Sequence, residues 1–98
     1  MTYYRFEWDP VKARANEAKH GVSFREAKTV FRDRFAVETF DTIHSIEEDR
    51  LIIIGVSEDE RLLTVVFTLR GPAVIRIISA RQALRGEREA YEKQIGER

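Results

Sequence analysis

Residues 6–27, Phe-Glu-Trp-Asp-Pro-Val-Lys-Ala-Arg-Ala-Asn-Glu-Ala-Lys-His-Gly-Val-Ser-Phe-Arg-Glu-Ala, fix two helix boundaries and set a cationic cluster beside one of them. Asp9 before Pro10 is an N-cap followed by the residue tolerated at the first helical position. Gly21 supplies a left-handed stop after Lys19 and His20, whose positive charge suits the negative end of a helix. Ser23-Phe24-Arg25-Glu26 then has the spacing of a capping box. The stretch predicts two short helices joined at a tight corner.

Upstream, Tyr3 to Trp8 alternates aromatic and polar residues and reads as a strand. The first helix is expected to bury a stripe of Val11, Ala15, Ala18 and Val22, with Lys12, Asn16, Lys19 and His20 on a neighbouring polar stripe. The second helix, from Phe24 to about Arg32, should bury Phe24, Ala27, Val30 and Phe31. Phe35 to Phe40 reads as a strand and Asp41 to Asp49 as a loop. Arg50 to Ser57, Leu62 to Arg70 and Val74 to Ala80 are extended runs joined by links short enough for antiparallel hairpins. The last two runs are apolar on both faces and belong inside the sheet. Arg81 to Gln94 returns to helical spacing, with Leu84, Tyr91 and Ile95 on one stripe and Gly86 weakening the helix by about 1 kcal/mol relative to alanine. The fold class is therefore α+β in the order β-α-α-β-β-β-β-α, an antiparallel sheet with helices packed against it, in a single domain over 1–98.

Seventeen basic and seventeen acidic side chains give a formal net charge of zero, which argues against nonspecific coating of DNA. There is no cysteine, so thiolate metal sites and disulfides are excluded. The longest apolar run, Leu51 to Val56, is too short to cross a bilayer and the N-terminus lacks a signal-peptide pattern, so a cytoplasmic protein without membrane contact is expected. Charge is nonetheless segregated. Residues 41–60 are acidic apart from Arg50, whereas residues 61–81 carry Arg61, Arg70, Arg76 and Arg81 with no acid.

Arg76, a lone charge between Ile75 and Ile77 in an interior strand, either lies on a wet sheet face or projects into a cleft to meet an anion. Arg81, Arg85 and Arg88 follow it and can form one basic strip, although Arg85 and Arg88 also match Glu89 and Glu92 at helical spacing. His20 is suited to proton transfer near neutral pH, and equally to capping terminal carbonyls; Lys19 shares that ambiguity. Trp8 and Tyr91 sit at core-compatible positions. His44, in the acidic loop, carries no signal. No phosphate-binding glycine loop, nucleophile elbow or metal motif is present, so no cofactor is expected.

Phe6-Glu7-Trp8-Asp9-Pro10, Lys19-His20-Gly21-Val22-Ser23-Phe24, Ile75-Arg76-Ile77-Ile78-Ser79-Ala80-Arg81 and Arg85-Gly86-Glu87-Arg88-Glu89-Ala90-Tyr91 together resemble the BrnT family of toxins. The resemblance implies a RelE-like two-layer fold and a ribonuclease toxin of a type II toxin–antitoxin pair. The partner it implies is a BrnA-like ribbon-helix-helix antitoxin that neutralises the toxin and represses their operon, so that operator DNA is bound only through the antitoxin. The implied chemistry is metal-independent cleavage of RNA by attack of the ribose 2'-hydroxyl on the adjacent phosphorus. Arginine is too weak an acid to serve as a base, so Arg76 and Arg81 become phosphate clamps. His20 or Lys19 is the expected proton-transfer group, with Glu87 second. Lys12, Arg61, Arg85 and Arg88 are expected to contact RNA. This reading requires the arginines at the end of the last strand to share a hollow with the corner at Gly21, and it expects the acidic segment from Glu47 to Asp49 to lie away from the cleft or to meet the antitoxin. A catalytically inert module that docks RNA or an acidic partner through the basic strip is the alternative, and a structural subunit with solvating arginines is the blandest.

Overall fold

The computed structural model describes residues 4–41 and 49–96. The elements are β1 (Arg5–Glu7), α1 (Pro10–His20), α2 (Phe24–Thr29), a single 3-10 turn (Val30–Arg32), β2 (Val37–Phe40), β3 (Leu51–Val56), β4 (Leu62–Arg70), β5 (Val74–Gln82) and α3 (Arg85–Gly96). The loop expected over Asp41 to Asp49, with His44 and the acid pair Glu47-Glu48, falls mostly outside the described residues.

Strands β2 to β5 form an antiparallel meander, and the sheet order is β1-β5-β4-β3-β2. The sheet is mixed rather than antiparallel throughout, because β1 runs parallel to β5, with Glu7 opposite Arg76. No turn joins these two strands, so nothing local in the sequence states their direction. Positive φ at Glu60 and Gly71 closes the two tight hairpins that the short links predict.

The corner at Gly21 forms as expected. The Asp9 carboxylate accepts from the Val11 and Lys12 amides, Gly21 is left-handed with φ 69°, and the Ser23 hydroxyl accepts from the Glu26 amide. The buried face of α1 differs from the expected stripe. Val11 is 65% exposed and Ala15 and Ala18 are also exposed, while Asn16 is buried and Ala13 packs on the core. Small side chains provide little burial energy to orient a helix, so a stronger polar interaction sets the rotation. Among the described residues, β5 has no strand on its β1 side beyond Arg76, and Asn16 takes that place. Its side chain donates to the Ala80 carbonyl (2.8 Å), accepts from the Ala80 amide (3.1 Å) and donates to the Val22 carbonyl (3.0 Å).

Helices α1 and α2 cover one sheet face, where Val22, Phe24, Ala27 and Val30 pack on Ile53, Leu63, Val65, Phe67, Ile75, Ile77 and Ala80. Trp8 meets Phe24 edge-on at 6.1 Å, which accounts for it as a packing residue. A smaller cluster on the other face joins Tyr91 of α3 to Ile54 and Leu62. Helices therefore lie on both faces, and α3 covers only one end of the second.

Strand β5 continues through Gln82 and α3 begins at Arg85, later than the helical spacing from Arg81 predicts. Gly86 is thus in the first turn, where the interior-helix penalty does not apply in full. Leu84 and Ile95 are exposed, leaving Tyr91 as the anchor of the stripe. The Tyr91 hydroxyl donates to Asp33 (2.6 Å), which also accepts from the Val56 and Phe35 amides. Burial, then Asp33, pushes the Tyr91 phenol up to about 12.

Gly55 lies under this junction. A Cβ there would approach the buried Val30 Cγ1 at 2.9 Å, Ala36 Cβ at 3.1 Å and Asp33 Oδ2 at 3.2 Å. Gly55→Ala should destabilise the fold by about 1–3 kcal/mol through overpacking. A urea titration checks this as a lower midpoint at unchanged slope.

Candidate active site

Arg76 and Arg81 are five residues apart, an odd spacing that sends side chains to opposite faces of a regular strand. A register irregularity changes this. Phe67 opposes Ile77 while the adjacent Val66 opposes Ser79, so Ile78 is an extra residue in β5. Beyond this bulge Ala80 rejoins Ile75 and Ile77 in the core beneath α1 and α2, and Arg76 and Arg81 both project from the other face.

Arg76 meets its register partner Glu7 across β1 and β5 at 2.8 Å. Both side chains are about one-third or more exposed, at 33% and 40%. The lone charge in an interior strand is thus held in a half-solvated cross-strand ion pair, which contributes little to stability.

Arg81 is more tightly built in. Its Nη1 and Nη2 donate to the two oxygens of Glu87 at 2.7 and 2.8 Å. Glu87 Oε1 also accepts from the Thr64 hydroxyl (2.9 Å) and the Leu84 amide (2.8 Å). Burial alone would raise the Glu87 carboxyl, but Arg81, the Leu84 amide and Thr64 outweigh it and hold the group at about 2. Glu87 in turn raises the Arg81 pKa, so both remain charged at neutral pH. Thr64 is the register partner of Arg81 on β4. Around them is a cavity of about 370 Å³, floored by Ile52 and Val66 and bordered by Asp41, Arg50, Thr64, Ser79 and Arg81. It offers two guanidinium groups, a carboxylate and two hydroxyls in one hollow.

The other sequence candidates lie elsewhere. Lys19 and His20 occupy the last turn of α1, on the helix that packs against the core side of β5. Arg81 projects from the opposite side of that strand. Neither Lys19 nor His20 lines the cavity around Arg81, and among the described residues no hydrogen bond or ion pair links Lys19 or His20 to Arg76, Arg81 or Glu87. Arg61 belongs to the Gly21 corner: it forms an ion pair with the buried Glu26, its Nε donating to Oε2 at 2.9 Å, and its Nη2 donates to the Gly21 carbonyl at 3.0 Å. Ser57 adds a bond to Glu26 at 2.7 Å. Arg61 first, helped by Ser57 against the effect of burial, keeps the Glu26 carboxyl below its ordinary range. Arg61 thus ties the β3–β4 turn to the start of α2, and its far side borders a cavity of about 300 Å³ shared with Gln82, Arg88 and Tyr91.

Arg85 pairs with Glu89 at 3.1 Å and Arg88 approaches Glu92 at 4.0 Å, the i,i+4 pattern of a solvated helix face. Because α3 starts after β5 has ended, Arg81 does not continue into their helical row. Lys12 is exposed near the start of α1. Among the described residues, no three His, Cys, Asp or Glu side chains gather as a metal-ligand set.

Sequence reasoning missed Asp41, Arg50, Thr64 and Ser79 as lining residues. Thr64 and Ser79 carried a signal, each a hydroxyl interrupting an apolar run. Asp41 and Arg50 did not, since they flank a segment with no periodicity.

A family model described as the ribonuclease toxin BrnT of type II toxin–antitoxin systems matches residues 8–87. The fold is similar to the 1.1 Å crystal structure of the Brucella abortus ribonuclease toxin, BrnT, with a TM-score of 0.61 and 26% sequence identity, covering 87% of this chain and 99% of that one. No curated protein matches the chain.

Proposed function

Because the chain belongs to the BrnT family of ribonuclease toxins of type II toxin–antitoxin systems, we propose that it cleaves RNA in the Arg81 hollow on the open face of the sheet. The observation that carries this choice of site is the cavity itself, which has cations, a carboxylate and hydroxyls around a space large enough for a nucleotide phosphate. In this reading the ribose 2'-oxygen attacks the adjacent phosphorus, the bond to the 5'-oxygen breaks, and the products are a 2',3'-cyclic phosphate and a 5'-hydroxyl. Arg81 stabilises the negative charge that builds on the non-bridging oxygens. Asp41, a carboxylate bordering the same hollow, is our assignment for the acceptor of the hydroxyl proton, and the departing 5'-oxygen takes its proton from solvent water in the open hollow. Glu87 is unsuited to that step because, against the effect of burial, Arg81, the Leu84 amide and Thr64 hold its carboxyl at about 2, which leaves it a weak base. Lys19 and His20 then belong with Lys12 and Arg88 as contacts to RNA outside the reacting centre.

No step in this scheme requires a metal ion, since guanidinium supplies the charge stabilisation. The family description also implies an antitoxin partner, and a BrnA-like ribbon-helix-helix protein that blocks the toxin and carries it to operator DNA fits that role. No helix among the described residues is long and apolar enough to cross a membrane.

The test is product analysis. Purified protein incubated with total bacterial RNA in excess EDTA should give fragments ending in 2',3'-cyclic phosphate, and a single 2'-deoxy substitution at a mapped site should abolish the cut there. Cleavage that persists at the 2'-deoxy position, or that EDTA abolishes, would overturn the scheme. Tight RNA binding with no cleavage of any substrate would favour the inert-module alternative.

A further inference from the structure

We propose that Glu87 is a positioning residue for Arg81, holding the guanidinium so that one edge of it is left for a phosphate, and that it takes no part in proton transfer. The inference rests on the reading of Arg81 as the cation that meets the scissile phosphate.

The geometry of the pair carries it. Glu87 engages the Nη1/Nη2 end of the guanidinium through two parallel hydrogen bonds of 2.7 and 2.8 Å. The outer Nη1 hydrogen is directed to the Gln82 carbonyl at 3.3 Å. Among the described residues, this leaves Nε–H and the outer Nη2–H without partners. Those two hydrogens are parallel and lie along one side of the planar fork, the arrangement that matches two oxygens of a phosphate. An arginine without the carboxylate would present the same donors in many orientations, and its rotamer freedom would be lost on binding.

Glu87 is itself fixed from three directions. Oε1 accepts from the Leu84 amide, which ties the carboxylate to the start of α3, and from Thr64, which ties it to the register partner of Arg81 on β4. Tyr91 anchors the next turns of the same helix on Asp33. The docking of α3 and the orientation of Arg81 are therefore one mechanical unit: the helix delivers a carboxylate to the strand, and the carboxylate aims the cation. With four hydrogen bonds arriving at its two oxygens, Glu87 has no proton to give.

A double-mutant cycle with pH–rate profiles tests this, using total bacterial RNA and reading the initial rate at one mapped site. Glu87→Gln keeps an acceptor for Leu84 and Thr64 but loses the charge and one guanidinium contact. It should lower kcat by on the order of 10²-fold, the scale of a misplaced reacting group, with a smaller change in KM. The pH–rate profile should keep its shape at reduced height. In the Arg81→Ala background, adding Glu87→Gln should change the rate by less than about twofold, because the two residues act as one unit. Thr64→Val should lower kcat less than Glu87→Gln and in the same direction.

Multiplicative losses in the double variant would overturn the proposal, as would an acid or base limb that disappears from the profile of Glu87→Gln, or an unchanged rate in that variant. If Arg81→Ala itself cleaves at the parental rate, the parent reading of the site fails, a result distinct from all of these. Thermal unfolding of each variant identifies any loss due to misfolding, and Glu87→Asp, which keeps the charge at shorter reach, should recover part of the rate if positioning is the role.

Discussion

Arg81→Ala is expected to reduce RNA cleavage by about 10²- to 10³-fold, the usual consequence of removing one preorganised donor to a developing oxyanion. The fold should survive. Arg81 is about one-third exposed and its partner Glu87 keeps the Thr64 and Leu84 bonds after the substitution, so the cost in stability should be on the order of 1 kcal/mol. Arg81→Lys should recover little, since an ammonium cannot hold Glu87 with two parallel bonds while offering a flat edge to phosphate. Arg76→Ala should have a smaller effect on cleavage, because its guanidinium is committed to Glu7 in a half-solvated pair outside the hollow. Growth arrest on expression and cleavage of total RNA by the purified variants measure both. Full toxicity in Arg81→Ala, at parental protein levels, would remove the hollow from consideration as the catalytic centre.

Asn16→Ala carries the largest expected effect on stability. The side chain supplies both hydrogen bonds of the Ala80 peptide groups and one to Val22, at a position only 8% exposed. Truncation leaves two carbonyls and an amide in the interior without these partners, and a buried unsatisfied group costs about 1–3 kcal/mol. A total near 3 kcal/mol is expected after water enters to relieve part of it, which for a domain of this size lowers Tm by about 12–24 °C. Asn16→Asp should be as damaging, since it replaces the donor to two carbonyls with a charged acceptor. Val11→Ser, on the face that hydrophobic spacing would bury, should be close to neutral. Differential scanning calorimetry of these three variants separates a polar strand surrogate from an apolar helix face.

That contrast marks what the sequence discloses and what it withholds. The Asp9-Pro10 start, the Gly21 stop and the Ser23 cap are interactions between near neighbours, so their residue types state their geometry directly. The same holds for the β3–β4–β5 meander, whose short links permit only hairpins. The parallel pairing of β1 with β5, the rotation of α1 about Asn16 and the late start of α3 are set by contacts between distant residues, and periodicity is silent on them. The small alanines of the expected stripe gave α1 little burial energy to hold that face inward, and the bonds from Asn16 to Ala80 set its rotation instead.

The site divides in the same way. Arg76 and Arg81 stood out as charges in or beside apolar runs, yet their odd spacing would have separated them had β5 been regular. The extra residue at Ile78 is visible only as a register shift against β4. Glu87 was legible as a candidate, while its partnership with Arg81 was not, because the spacing from Arg81 looked helical and the chain in fact leaves a strand there. Lys19 and His20 were legible as a cationic turn, but the face of the sheet beneath them depends on the rotation of α1.

The most direct measurement of the central claim is a nuclear magnetic resonance titration with a short RNA made uncleavable by one 2'-deoxy nucleotide at a mapped site. The account predicts that the largest shifts and the sharpest change in the Arg81 Nε–H signal fall on Thr64, Ser79, Arg81 and Glu87. Largest shifts at Lys19, His20 and Gly21, with the Arg81 signal unmoved, would contradict it.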